Sequence, residues 1–209
     1  MEVIELKTYK LSELSDAAKE KAFNNSLSNF TYHWHDENIA VLEEFENIFP
    51  LQINNYEYDQ NNGFVSWEFA YDDVQELSGI RLMAKLSSNY FRDLYKGKYY
   101  SLWSKKDKNP HYTEGGSAPC GKLKSKHSKI LFEETTLTGY CVGYDILKPI
   151  FDFLKKPTDI TFEDLMQECI DAWIKSVVFD YEYAASMEAF TEDAEVNEWK
   201  YTEDGEYYC

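Results

Sequence analysis

The sequence predicts an α+β fold: a single compact domain of residues 1–209 with helices packed on a small antiparallel sheet, a long basic loop and a C-terminal hairpin. Three observations lead there. Runs with helical periodicity and runs of alternating bulky and polar residues both occur, without the regular strand-helix alternation of a parallel sheet. Asn-Gly and Asp-Gly signals separate two pairs of the alternating runs. The 209 residues are 44% hydrophobic and include 17 Tyr, 13 Phe and 5 Trp, which suits one domain with a sizeable core and excludes a chain that stays unfolded.

Taken in order, residues 3–9 supply an N-terminal strand. Ser15 then caps a first helix, in which Ala18, Ala22, Phe23, Leu27 and Phe30 recur at helical spacing. A second helix covers 36–49, with Val41, Leu42, Phe45, Ile48 and Phe49 on one face, and Pro50 closes it because proline has no N–H to continue the ladder. Residues 53–58 and 64–71 flank Asp59-Gln60-Asn61-Asn62-Gly63 and form a hairpin with an Asn-Gly turn. Residues 80–95 read as helix, with Ile80, Met83, Ala84, Tyr90, Phe91 and Leu94 available for burial. Strands follow at 99–103 and 129–136, on either side of the basic loop.

Residues 144–155 are helical again, interrupted at Pro149. Thr161-Phe162-Glu163-Asp164 resembles a capping box, and Phe162, Leu165, Met166, Cys169, Ile170, Trp173 and Val177 follow every three or four residues, which makes this the clearest helix in the chain. Residues 198–201 and 206–208 flank Thr202-Glu203-Asp204-Gly205, a terminal hairpin with an Asp-Gly turn.

Charge narrows the function. The chain has 38 acids against 21 bases, a net charge of -17, and Arg81 and Arg92 are its two arginines. Direct nucleic-acid binding, which draws on clustered Lys and Arg to release counterions, is not expected, and neither is an anionic membrane. No run approaches the roughly 20 apolar residues of a membrane span, and the first residues have no basic or apolar leader, so the expected location is the cytoplasm. Cys120, Cys141, Cys169 and Cys209 contain no Cys-x-x-Cys pair and read as reduced thiols. The charge is uneven: residues 96–129 hold nine bases and two acids among four glycines and two prolines, a basic loop insertion, whereas residues 157–209 hold fifteen acids and two bases.

The constellations that could carry chemistry fail in their context. Residues 116–122 have the glycine and lysine spacing of a phosphate-binding loop, but Leu123 stands where a hydroxyl should reach magnesium, and no apolar strand leads in. His33 and His35 lack a third ligand at metal spacing. Cys120 and His127 are loop neighbours without an orienting third group. Asp72-Asp73 and Glu133-Glu134 read as solvated surface. The chain is therefore expected not to be an enzyme and to need no metal or cofactor.

The acidic C-terminal part is different. Asp180, Glu182, Glu188, Glu192, Asp193, Glu195, Glu198, Glu203, Asp204 and Glu206 face one base, Lys200, and Tyr181, Tyr183, Phe190, Trp199, Tyr201, Tyr207 and Tyr208 interleave them. The aromatics can fold the segment onto a core, so the carboxylates become a rigid array. Such an array imitates the line of negative charge on a nucleic acid and can occupy the basic cleft of a protein that handles one. The ten carboxylates are therefore the predicted partner-binding residues. The Glu43-Glu44-Glu46 cluster is the reserve surface.

Two segments also carry a resemblance: residues 8–22, Thr-Tyr-Lys-Leu-Ser-Glu-Leu-Ser-Asp-Ala-Ala-Lys-Glu-Lys-Ala, and the end from Phe179-Asp180-Tyr181-Glu182-Tyr183 to Asn197-Glu198-Trp199-Lys200-Tyr201-Thr202-Glu203-Asp204-Gly205. Both are similar to a family of acidic proteins encoded by bacteriophages and prophages, often labelled antitoxin. The resemblance covers about 45 residues and brings no catalytic motif. It implies a phage origin, where small acidic proteins commonly block host defence enzymes. Charge and resemblance together predict an inhibitor that binds a host nucleic-acid-processing defence protein, such as a CRISPR effector or restriction enzyme, by occupancy. The alternative is an antitoxin that neutralises a cognate toxin by direct binding.

Overall fold

The computed structural model describes residues 7–71, 74–90, 137 and 142–208. The basic loop at 96–129, the strands expected at 99–103 and 129–136, residues 3–6 and the end of the helix expected at 80–95 lie outside the described residues.

The first strand, β1, is Tyr9–Lys10, followed by a single 3-10 turn at Leu11–Glu13. Helix α1, Asp16–Leu27, starts where Ser15 Oγ accepts the Ala18 N–H, as its sequence predicts. Helix α2, His35–Ile48, stops before Pro50. Strands β2, Leu51–Tyr58, and β3, Gly63–Phe69, pair antiparallel, and α3, Gly79–Lys85, runs on into a π-helical turn at Leu86–Tyr90. Helices α4, Val142–Lys155, α5, Phe162–Ala184, and α6, Met187–Val196, precede the short strands β4, Lys200–Tyr201, and β5, Tyr207–Tyr208. The fold is α+β, and its strands divide between two antiparallel sheets, β2-β3 and β1-β4-β5.

The apolar residues of the described chain collect in two clusters. The larger centres on α5, whose Phe162, Leu165, Met166, Cys169, Ile170, Trp173 and Val177 are buried at the spacing read from the sequence. Helix α4 contributes Ile146, Leu147, Ile150, Phe151 and Phe153, and α2 contributes Val41, Leu42 and Phe45. Burying the Trp173 indole requires a partner for its N–H, and it donates to the Asn38 carbonyl oxygen at 3.2 Å. The Asn38 amide in turn donates to the Tyr32 hydroxyl at 3.1 Å, so this buried side chain has a partner.

Three details depart from the sequence expectation. Pro149 does not interrupt α4, which runs through it with five large apolar residues fully or nearly buried around it. Packing of that face outweighs the lost hydrogen bond and the ring's clash with the preceding turn, a local cost of about 3 kcal/mol. The β2-β3 hairpin has no Asn-Gly turn. Tyr58 pairs with Gly63, so Gly63 is a strand residue and the loop is 59–62, closed by Asp59 Oδ1, which accepts the N–H groups of Asn61 and Asn62 at 2.6 and 2.9 Å. Glycine stands at 63 because the hairpin lies flat on α5: a Cβ there would come within 2.9 Å of Ile174 Cγ2 and 3.1 Å of Tyr58 Cβ.

The third departure is α6. The sequence reading assigns no element between the helix that starts at Phe162 and the terminal hairpin, but Ser186 Oγ accepts the Ala189 N–H and starts a helix that buries Phe190 and Ala194, four residues apart. That helix organises the second cluster, Leu11, Leu14, Ala18, Ala22, Phe190, Ala194 and Tyr201, drawn entirely from the two ends of the chain. Phe190 is its hub, with ring centroids 5.6 Å from Phe23, 6.2 Å from Trp199 and 6.5 Å from Tyr201. The terminal hairpin closes as its Asp-Gly signal predicts: the Gly205 N–H donates to the Thr202 carbonyl at 3.0 Å, and Gly205 takes a φ of +85°. None of the described helices is long and apolar enough to cross a membrane.

An ion cluster ties the hairpin to α1. Lys21 Nζ lies 2.9 Å from Asp204 Oδ2 and 2.7 Å from Glu206 Oε1. The hydrogen bond from the Thr202 hydroxyl, and then that from Lys21, hold the Asp204 carboxyl down at about 2, while Glu206 and Asp204 raise Lys21 above its ordinary value. Asp204 is depressed in the folded state, so its contribution is present above the ordinary value of 3.8 and is lost as pH falls towards about 2. Lys21 is raised, so its contribution is present below 10.5 and is lost as pH rises through the folded value. In a Lys21→Met chain the Asp204 carboxyl should titrate measurably above about 2, with Thr202 retaining part of the depression. Carboxyl NMR over a pH series reads this, and an unmoved Asp204 would mean that Lys21 does not hold the hairpin.

Candidate functional site

All ten predicted carboxylates are exposed. They stand on fixed elements: Asp180 and Glu182 on the last turns of α5, Glu188, Glu192, Asp193 and Glu195 on α6, Glu198 just beyond it, and Glu203, Asp204 and Glu206 in the terminal hairpin. The aromatic anchoring expected from the sequence is present, because Phe190, Trp199 and Tyr201 pack against Leu11, Leu14, Ala18 and Ala22 and hold α6 and the hairpin in place.

The array is not uniform. Asp204 and Glu206 are committed to Lys21. Glu192 accepts a hydrogen bond from the Tyr183 hydroxyl at 2.9 Å, which raises the Tyr183 phenol above its ordinary value. Asp180 is raised by partial desolvation and, secondarily, by Asp145, whose carboxylate accepts the Ser176 hydroxyl at 2.7 Å. Glu188, Glu192 and Glu195 occupy positions i, i+4 and i+7 of α6 and form an acidic stripe on its outer side.

Between the two clusters lies an open cleft of about 1260 Å³. Its walls come from the end of α1, the 28–34 connection, the start of α2, the end of α5, α6 and the terminal hairpin. Asp180, Glu192, Asp193 and Glu206 of the predicted set line it, whereas Glu182, Glu188, Glu195, Glu198, Glu203 and Asp204 do not. Glu37 joins them from α2, and no Lys or Arg is among the described residues of the wall.

The wall is also aromatic. The connection between α1 and α2 is fixed by rings: Tyr32 stacks on Tyr181 at 4.7 Å, and Phe30 meets the same tyrosine edge-on at 5.7 Å. Trp34 stays 57% exposed at the cleft and Tyr183 43%, so apolar surface is open to an incoming group. Tyr201, 2% exposed, carries a hydroxyl without a hydrogen-bond partner among the described residues, and burial pushes its phenol up to about 12. One Glu37 oxygen, Oε2, is likewise buried and unpartnered.

The sequence reading missed Glu37, Tyr32 and Trp34 as site residues. The signal was the aromatic and acidic density of 30–37, too rich for a plain helix connection. Of the motif residues, His33 is exposed at the cleft, and His35 starts α2 with Nδ1 2.8 Å from the Tyr58 hydroxyl and its ring stacked on Tyr58 at 5.4 Å. The two imidazoles therefore do different jobs. Cys169 is buried in the main core, and burial pushes its thiol well above the ordinary range, away from reactivity. Glu46, in the reserve cluster, is occupied structurally, with Oε1 accepting the Ile53 N–H at 3.3 Å. The 116–122 loop, Cys120, His127, Asp72, Asp73, Glu133 and Glu134 lie outside the described residues. No family model, curated protein or solved structure matches this chain.

Proposed function

We propose that this protein acts by binding: it presents a rigid acidic face, formed by the end of α5, α6 and the terminal hairpin, to the basic cleft of a protein that handles nucleic acid, and blocks that cleft by occupancy. The observation that carries the reading is the exposure of all ten carboxylates on elements anchored by a buried aromatic cluster. A floppy acidic tail would lose its ordering entropy at each encounter, whereas a preorganised face spends little on binding. The resemblance at the two ends points to a phage protein, and with it to a host defence enzyme, a CRISPR effector or restriction enzyme, as the target. It is also of interest that the segments carrying that resemblance build one cluster together.

Association should be steered by long-range charge. Between roughly 50 and 500 mM salt the Debye length shrinks several-fold, so the association rate with a target nuclease should fall by at least about tenfold. Stopped-flow binding over a salt series measures this. A rate flat across that range would remove the acidic-face reading, and selective capture of a small toxin in place of a nuclease would move the assignment to an antitoxin.

A further inference from the structure

The acidic face accounts for the exposed carboxylates but leaves the cleft beside it without a use. We infer that the cleft between the two clusters is a binding site for a guanidinium group, supplied by an arginine-bearing peptide segment of the protein partner. The choice of a protein segment over a free cation rests on the proposed function.

Four features of the cleft converge on that chemistry. First, five carboxylates, Glu37, Asp180, Glu192, Asp193 and Glu206, line it without a described Lys or Arg in the wall, so its lining carries an excess of negative charge. Glu206 is already paired with Lys21 and Glu192 accepts the Tyr183 hydroxyl, but Glu37, Asp180, Glu192 and Asp193 have no cation paired with them among the described residues. Second, its walls carry Phe30, Tyr32, Trp34 and Tyr183, and aromatic faces attract a planar cation through the ring quadrupole. Third, two residues of the wall hold a side-chain oxygen that is buried without a partner among the described residues: Glu37, through Oε2, and Tyr201, a residue 98% withdrawn from solvent, through its hydroxyl. Orphaned polar atoms of this kind are costly unless something fills the site.

The fourth feature is size. About 1260 Å³ exceeds the 300–1000 Å³ of ordinary small-molecule pockets, and the cleft is open along one side, so it admits a length of chain. Guanidinium suits it better than ammonium. It offers five donors in a planar fork, stacks on aromatic rings and is less strongly hydrated.

The test uses the full chain and two synthetic octapeptides, identical except that the two arginines of one are citrulline in the other, an uncharged near-isostere. Trp34 and Trp199 line the cleft, so intrinsic fluorescence and calorimetry both report entry. The arginine peptide should bind at least about tenfold more tightly than the citrulline peptide, the factor expected of a desolvated cation-π contact with carboxylates alongside. Glu37→Gln should weaken the arginine peptide at least fivefold while the melting temperature stays within about 2 °C, and Trp34→Ala, an exposed position, should do the same.

Equal binding of the two peptides overturns the inference, as does indifference to both substitutions. Binding of spermidine without binding of the arginine peptide overturns the peptide source. Glu37 is outside the ten exposed carboxylates, so a Glu37→Gln chain that loses the peptide but inhibits the target undiminished removes the partner's segment from the cleft and leaves the acidic face standing.

Discussion

Substituting Gly205 by Ala should unseat the terminal hairpin from α1 and cost the unit formed by the two chain ends about 2–5 kcal/mol. Two penalties add. The left-handed backbone at φ +85° charges a non-glycine residue roughly 1–2 kcal/mol, and overpacking charges a further 1–3 kcal/mol or so. The second penalty is severe here because a Cβ on Gly205 would run into the backbone carbonyl of Ala18, with its carbonyl carbon at 3.0 Å and its Cα at 3.2 Å. Ala18 lies in the first turn of α1, and helical backbone cannot swing aside as the tip of a side chain can. Relief comes only by lifting the hairpin, which takes Tyr201 from Phe190 and Asp204 from Lys21. Hydrogen exchange should show faster opening of α6 and β4 in the Gly205→Ala chain, with α5 amides protected as before. Uniform protection in both regions, equal to the parent, would mean that the hairpin is not seated on α1.

The second large effect is on binding. Reversing Glu192, Asp193 and Glu195 to Lys should weaken association with a basic cleft by at least about a hundredfold, since like charges set against one another across an interface cost several kcal/mol. Stability should change by less than about 1 kcal/mol, because all three side chains are exposed while Phe190 and Ala194 supply the buried contacts of α6. Glu192 does accept the Tyr183 hydroxyl, so Glu192→Gln is the control that keeps an acceptor there while removing the charge. Inhibition of the target nuclease and the melting transition are to be measured on the same preparation. A triple variant that melts normally and inhibits as well as the parent would exclude α6 from the contact.

Much of this fold is legible in the sequence. The α5 pattern from Phe162 to Val177, the Ser15 and Thr161 caps, the stop at Pro50 and the Asp204-Gly205 turn are local rules: spacing, a hydroxyl aimed at a free N–H, a missing donor, a left-handed glycine. Each is decided within a few residues, so the sequence alone determines it. The exposed acidic array belongs with them, because ten carboxylates with so little to pair them have nowhere to go but water.

What the tertiary structure decided are outcomes of competition between distant parts. Pro149 is tolerated because burial across α4 outweighs a local rule, and Gly63 is required by Ile174, more than a hundred residues away, rather than by a turn. The cleft is of the same kind. Glu37, Tyr201 and Tyr183 are unrelated in sequence, and they share one wall only because Phe190 gathers the chain ends into a second cluster and leaves a gap against the first. Local propensity carries no information about which surfaces meet, since that depends on the total apolar area each arrangement buries.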